Sequence, residues 1–227
     1  MAEFDAVAAS YDDLHARSIR LSGEGTDYFA RYKITDARRI ADKRGLAVKS
    51  ILDFGAGIGN SLGPMREMFP EARITCLDVS EQSLELCRKE LAENVDFRAY
   101  DGELLPTDLG KFDLIFTACV FHHIPESLHG SLLRQIRQIL RKGGLFLMFE
   151  HNPWNPLTRH AVNTCPFDAD AVLISAPEMR RRLLAAGFAD TQVSYRVFFP
   201  GPLAGLRVLE PALAHLPIGA QYSVAAR

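Results

Sequence analysis

The chain of 227 residues suits one α/β domain with an elaboration, and its 48% apolar and 24% charged side chains exclude a disordered chain. Twenty-eight acidic against 26 basic residues leave a formal charge of -2, so no global positive field would gather nucleic acid. Cys76, Cys87, Cys119 and Cys165 lack the spacing of a zinc site or the density of a stapled secreted domain. The segment MAEFDAVAASYDD lacks the basic and apolar regions of an export signal, and no run approaches the roughly 20 apolar residues of a membrane span, so a soluble, cytoplasmic protein is expected.

Residues 1–49 precede the first strand, and TDARRIADKRG from Thr35 reads as its lead-in helix, behind an arm punctuated by Tyr11, Tyr28 and Tyr32. Five apolar runs then read as strands: SILDFG from Ser50, RITCLDV from Arg73, VDFRAYD from Val95, FDLIFTACV from Phe112 and GLFLMFEH from Gly144. Their near-continuous apolarity is what a parallel sheet covered on both faces requires. Between them NSLGPMREMF, SEQSLELCRKELA with Ser80 as cap, and Ser131 to Lys142 closed by Gly143 carry helical periodicity. SAPEMRRRLLAAGF adds a helix capped by Ser175 and stopped at Gly187. Strand candidates from Asp190 and from Gln221 then suggest an antiparallel pair at the sheet edge. The apolar, Pro- and Gly-rich connection 200–219 has room for a short helix, and either covers a pocket or forms a homodimer contact. Alternating strands and helices with right-handed crossovers give a doubly wound α/β fold.

The chemistry-bearing segment is ILDFGAGIGN, a buried strand ending in Asp53 and entering a turn with Gly55, Gly57 and Gly59. Glycine there permits positive φ and lets a ligand approach the backbone. Asp78 ends the next strand 19 residues after Gly59, where a carboxylate accepts both hydroxyl protons of an adenosine ribose. Alone, Asp78 equally suits a helix cap, and Asp101 equally suits a turn before Gly102. Taken in order, Asp53, Asp78 and Asp101 describe an adenosine site along the carboxyl edge of the sheet.

This set, running from about Ser50 to His151, resembles the class I S-adenosylmethionine-dependent methyltransferases, whose first motif is an acid followed by GxGxG, here DFGAGIG. Asn60 stands where a GxGxxG dinucleotide fingerprint would need glycine. The resemblance implies a mostly parallel seven-stranded sheet in the order 3-2-1-4-5-7-6 and S-adenosyl-L-methionine as cofactor. It implies that Gly55, Ala56 and Gly57 face the methionine part, that Asp78 and Val79 hold ribose and adenine, and that Asp101, Gly102 and Glu103 flank the adenine. FDLIFTACVFHHIP looks like the family's fourth-strand motif, which makes Thr117 a further cofactor candidate and puts His122 and His123 beside the acceptor. One domain over 1–227 is then expected: 1–49 a lid arm and lead-in helix, 50–151 the cofactor core, and 152–227 the acceptor-side loop, helix and edge strands.

An imidazole near its ordinary pKa accepts a proton from a hydroxyl or ammonium, and His123 is the first choice for that role, with His122 lining the pocket. An inward-packed, backbone-bonded His123 is the alternative. In sugar amine members of the family the matching histidine is the base. FEHNPWNPLTRH offers Glu150, His151, Asn152 and Trp154 as acceptor contacts, against a proline-stiffened loop that caps its own turns. Tyr11, Tyr28 and Tyr32 either close over the sulfonium, whose positive charge an aromatic face attracts, with Tyr11 and Tyr32 the candidates for contact, or simply bury the arm. No cluster of acids and amides marks a magnesium site, so no metal is expected. The acceptor is expected to be a small molecule rather than nucleic acid, methylated on oxygen or nitrogen by in-line displacement. Rival readings are a nicotinamide-dependent oxidoreductase and a non-catalytic binder of the same cofactor.

Overall fold

The computed structural model describes residues 22–90 and 94–227. Seven strands form one sheet in the order β3-β2-β1-β4-β5-β7-β6, matching the expected topology. The strands are β1 (Ser50–Phe54), β2 (Arg73–Asp78), β3 (Val95–Ala99), β4 (Phe112–Ala118), β5 (Leu140–His151), β6 (Gln192–Arg196) and β7 (Gln221–Ala226). The first five run parallel, while β7 pairs antiparallel with both β5 and β6.

Strand alternation separates two cores. Leu52, Ile115, Phe146 and Met148 face α4 (Glu126–Ile139) and α6 (Ala176–Ala185). Ile51, Leu114, Phe116 and Leu147 face α1 (Thr26–Lys43), α2 (Leu62–Met68) and α3 (Glu81–Glu90). Both faces are apolar because both are covered, which is why the strand sequences lack polar alternation. The remaining helices are α5 (Pro156–Thr164) and the short α7 (Glu210–Leu213). Among the described residues no helix is long and apolar enough to cross a membrane.

Several boundaries differ from the sequence reading. The lead-in helix starts at Thr26 rather than Thr35, because Phe29, Ala30, Lys33, Ile34, Ala37 and Ala41 form one continuous buried stripe. Helix α4 ends at Ile139, since Leu140 is already extended and pairs with Phe112. The ladder then shifts register between Phe112 and Leu114, so Arg141 to Gly144 belong to β5 and do not close the helix. Strand β6 is shortened at both ends by left-handed backbone, at Asp190 (φ 48°) and Val197 (φ 60°). The 200–219 connection forms a 3-10 run, Gly201–Leu209, ahead of α7. It is tied to the start of the chain's described part by Arg207, which pairs with Glu24 at 2.6 Å and stacks over the Tyr28 ring at 4.5 Å.

Gly59 serves the fold rather than the cavity. Its φ is +93°, and a Cβ there would lie 2.4 Å from Cys87 Sγ on α3. Gly59→Ala is expected to cost about 2–4 kcal/mol in urea denaturation, combining backbone strain with overpacking. Gly45→Ala, also at positive φ but with nothing within 4 Å, is expected to cost about 1 kcal/mol. Equal losses at the two positions would contradict this packing role.

Candidate active site

The carboxyl ends of β1, β2 and β4 open into a cavity of about 580 Å³. The turn after β1 is pinned to β2, for Gly55 N–H and Ala56 N–H both donate to Leu77 O, at 2.8 and 3.1 Å. Gly57 N–H donates to Asp78 Oδ2 at 2.7 Å, and Ser80 N–H donates to Asp78 Oδ1 at 2.9 Å. Ser80 also caps α3 by accepting from Ser83 N–H at 3.0 Å. A Cβ on Gly55 would meet Val120 at 2.3 Å, whereas one on Gly57 would meet nothing within 4 Å. Glycine at 55 lets two strand tips approach, while glycine at 57 keeps backbone bare on the cavity side.

Asp53 lines the cavity, yet its Oδ2 is buried without a hydrogen-bond partner. Burial, with the Asp78 charge adding to it, raises its pKa to about 7. A buried acceptor left open in a cavity wall marks where a ligand donor belongs. Val79, Asp101, Gly102 and Glu103 line the same end. Asp101 Oδ1 accepts from the Glu103 and Leu104 N–H groups, each at 2.8 Å, which lowers its pKa and shapes the turn at this end of the cavity.

At the other end, a 3-10 turn at Phe121–His123 brings both histidines to the cavity wall. His122 is buried, with Nδ1 at 2.6 Å from Glu150 Oε2. Glu150 Oε1 accepts from Val120 and Phe121 N–H at 3.1 and 2.8 Å, so one carboxylate holds both the turn and the ring. Asp168, on the turn Pro166–Asp168, places Oδ1 at 3.6 Å from His122 Nε2 and 3.4 Å from His123 Nε2. Burial opposes the charged form of His122, but Glu150 and Asp168 outweigh it and carry its pKa to about 10. For His123 burial and the neighbouring His122 charge lower it to about 4. Burial pushes Glu150 and Asp168 upward, and the histidines more than reverse this, leaving both below the ordinary carboxylate range.

His151 also lines the cavity, its ring 5.2 Å from that of His122. Cys119, in left-handed backbone at φ 59°, lies 3.8 Å from Lys33 Nζ. Burial pushes its thiol up, while Lys33 and His151 together bring it down to about 7.

Other expected contacts lie off the cavity wall. Glu150 is enclosed behind His122, and Asn152, fully buried, donates to Pro217 O and Gly219 O at 3.0 and 2.8 Å, so both organise backbone. Trp154 is half exposed on the outer side of that loop. Thr117 is buried inside β4. Tyr32 donates to Gln221 Oε1 at 2.5 Å and packs edge-on against Phe149, anchoring α1 rather than closing a lid. Tyr11 lies outside the described residues.

Lys33, Cys119 and Asp168 also line the cavity, beyond the residues expected there. Lys33 carried a signal, a lone lysine on the apolar stripe of α1. Asp168 carried none, being 45 positions beyond His123 in a segment without periodicity.

This topology, with a glycine turn after the first strand and an acid at the tip of the second, is the fold of the class I S-adenosylmethionine-dependent methyltransferases. Residues 51–144 match the methyltransferase domain family. The chain is 27% identical over 175 residues to demethylmenaquinone methyltransferase of Lactococcus lactis, covering 72% of this chain and 65% of the relative. It is 30% identical over 132 residues to ribosomal RNA small subunit methyltransferase C of Pseudomonas putida, covering 56% and 40%. The chain thus spans less than two thirds of the length of either. Among solved structures, a possible histamine N-methyltransferase from Thermotoga maritima superposes with TM-score 0.68 at 18% identity, covering 99% of this chain and 97% of that one. The complex of DhpI with SAH superposes at 0.65 with 17% identity, covering 100% and 93%.

Asp53 supplies a pH test of this electrostatic arrangement. Its pKa is higher folded than unfolded, so its favourable contribution is full below the unfolded value near 3.8 and is lost as pH rises toward about 7. The displacement corresponds to about 4 kcal/mol as an upper bound. Asp53→Asn should therefore gain in Tm relative to wild type between about pH 5 and pH 8, by several degrees. A difference in Tm that does not change with pH would contradict the assigned burial of charge.

Proposed function

We propose that the chain transfers a methyl group from S-adenosyl-L-methionine to an oxygen or nitrogen of a small-molecule acceptor. The observation that carries this reading is the cradle at the strand tips: bare backbone at Gly57, an unsatisfied Asp53 oxygen and the Asp78 carboxylate facing one cavity. These residues fit the cofactor. Asp78 would accept from the ribose hydroxyls, Asp53 from the methionyl ammonium, and Val79 would lie against the adenine. When bound, the cofactor supplies a methyl carbon already activated by the sulfonium charge.

The protein's part is alignment. The Gly55 to Gly57 turn and the His122–His123 turn line one cavity, in which cofactor and acceptor would meet. Holding the acceptor in line at near-contact distance supplies roughly 7–11 kcal/mol of the barrier reduction. Proton removal belongs to the His122, His123 and Asp168 group, which lines the acceptor end.

Names among the relatives support a small acceptor: trans-aconitate 2-methyltransferase of Azoarcus and malonyl-[acyl-carrier protein] O-methyltransferase of Geobacter sulfurreducens. The ribosomal RNA relative points elsewhere, but a net charge of -2 gives an RNA backbone little to bind. The test is release of S-adenosylhomocysteine over a panel of small carboxylic acids, amines and phenols, with ribosomal RNA as a further arm. Turnover is expected on a small acceptor, and turnover on RNA alone would overturn the reading. With that acceptor, His123→Ala should lower kcat by about 100-fold or more while leaving the cofactor KM within about threefold. An unchanged kcat would remove His123 from the chemistry.

A further inference from the structure

We infer that His122, His123 and Asp168 form a binding site for one divalent first-row transition-metal ion, of the zinc or cobalt kind, at the acceptor end of the cavity. One ligand atom from each of the three residues lies within 4.8 Å of the others, and His122 Nε2 and His123 Nε2 are the nitrogens nearest Asp168 Oδ1. The two nitrogens stand 3.6 and 3.4 Å from the same carboxylate oxygen. Those separations exceed the 2.7–3.2 Å of an N–H···O bond. They match the edge of a tetrahedron built on bonds of about 2.0–2.1 Å, which is about 3.3–3.4 Å.

The surroundings are those of a built site. His122 Nδ1 is engaged by Glu150 at 2.6 Å, which fixes the ring and directs Nε2 toward Asp168. A carboxylate behind a ligating imidazole is the usual outer support of a metal site, and Glu150 is itself held by the Val120 and Phe121 N–H groups. Charge agrees, because the ion pairs formed by Glu150 and Asp168 among the described residues are to histidine, with no lysine or arginine. A dication there would take over from the His122 imidazolium in balancing the Glu150 and Asp168 carboxylates, and both imidazoles would then be neutral, the form in which they ligate. Two nitrogens and one oxygen favour a transition metal over magnesium or calcium, which prefer oxygen. All three residues line the cavity, so an ion held there would border the space assigned above to the acceptor, and while it is bound His123 would serve as a ligand and not as a proton acceptor. The inference rests on that assignment for its purpose, and not for the existence of the site.

The experiment uses the full chain, stripped with a chelator, dialysed and titrated with Co²⁺ under visible absorption, alongside elemental analysis for retained zinc. One ion per chain with ligand-field bands of low-symmetry cobalt is expected. His123→Ala and Asp168→Ala should abolish the bands while binding S-adenosylhomocysteine as wild type does, which shows that they fold. Glu150→Gln should weaken Co²⁺ binding by about 10–100-fold. Absence of bands and of retained zinc in wild type that still binds S-adenosylhomocysteine would overturn the metal site alone, leaving a hydrogen-bonded cluster. Bands that persist in both alanine variants would place the ion elsewhere and overturn it equally. Failure of wild type to bind S-adenosylhomocysteine would instead strike the cofactor reading.

Discussion

The Asp78 carboxylate accepts a backbone N–H from Gly57 on the neighbouring strand's turn and another from Ser80 at the start of its own helix. With Gly55 and Ala56 donating to Leu77 O, this ties the tips of β1 and β2 into one rigid edge. Parallel strands can be joined so closely only where no side chain intervenes, and the contact between Gly55 and Val120 extends the constraint to β4. Three strand ends are thus fixed relative to one another before any ligand arrives. The same carboxylate that holds the edge together also lines the cavity.

A second carboxylate plays a comparable part across the cavity. Glu150 was read as an acceptor contact, but it is enclosed and gives one oxygen to two backbone N–H groups and the other to His122. It sets the orientation of the histidine turn from behind, and Asp168 meets that turn from a segment supplied after α5. The cavity is therefore walled by two preorganised edges. Such preorganisation is what a group transfer with an activated electrophile demands of a protein.

The sheet was legible because its information is local. Apolar runs, an acid at each of the first two strand ends and glycine turns specify a parallel core, and β1 to β5 and the antiparallel pair appear where their patterns stand. Boundaries failed where tertiary contacts override local signals: α1 reaches back to Thr26 along a stripe that includes a buried lysine, and the start of β5 absorbs residues that read as a helix end. Most of the residues proposed to hold the cofactor could be grouped from sequence because they follow consecutive strand tips, which line one cavity. On the other side His122, His123 and His151 line the cavity as expected, whereas Glu150, Asn152 and Trp154 do not. Asn152 and Trp154 look available in sequence because polar and aromatic side chains in a proline-rich loop carry no sign of which way they turn. Asp168 and Lys33 come from segments that only the folded chain brings to His123 and Cys119.

The central claim is that the edge formed by β1 and β2 binds an S-adenosyl ligand through Asp78. Calorimetric titration of the wild-type chain with S-adenosylhomocysteine and with NADH, repeated on Asp78→Ala, tests it most directly. The account predicts saturable binding of S-adenosylhomocysteine, none of NADH, and a loss of about 100-fold in the variant, as removal of two charge-assisted hydrogen bonds requires. Absence of S-adenosylhomocysteine binding in the wild type, or equal affinity in the variant, would contradict it.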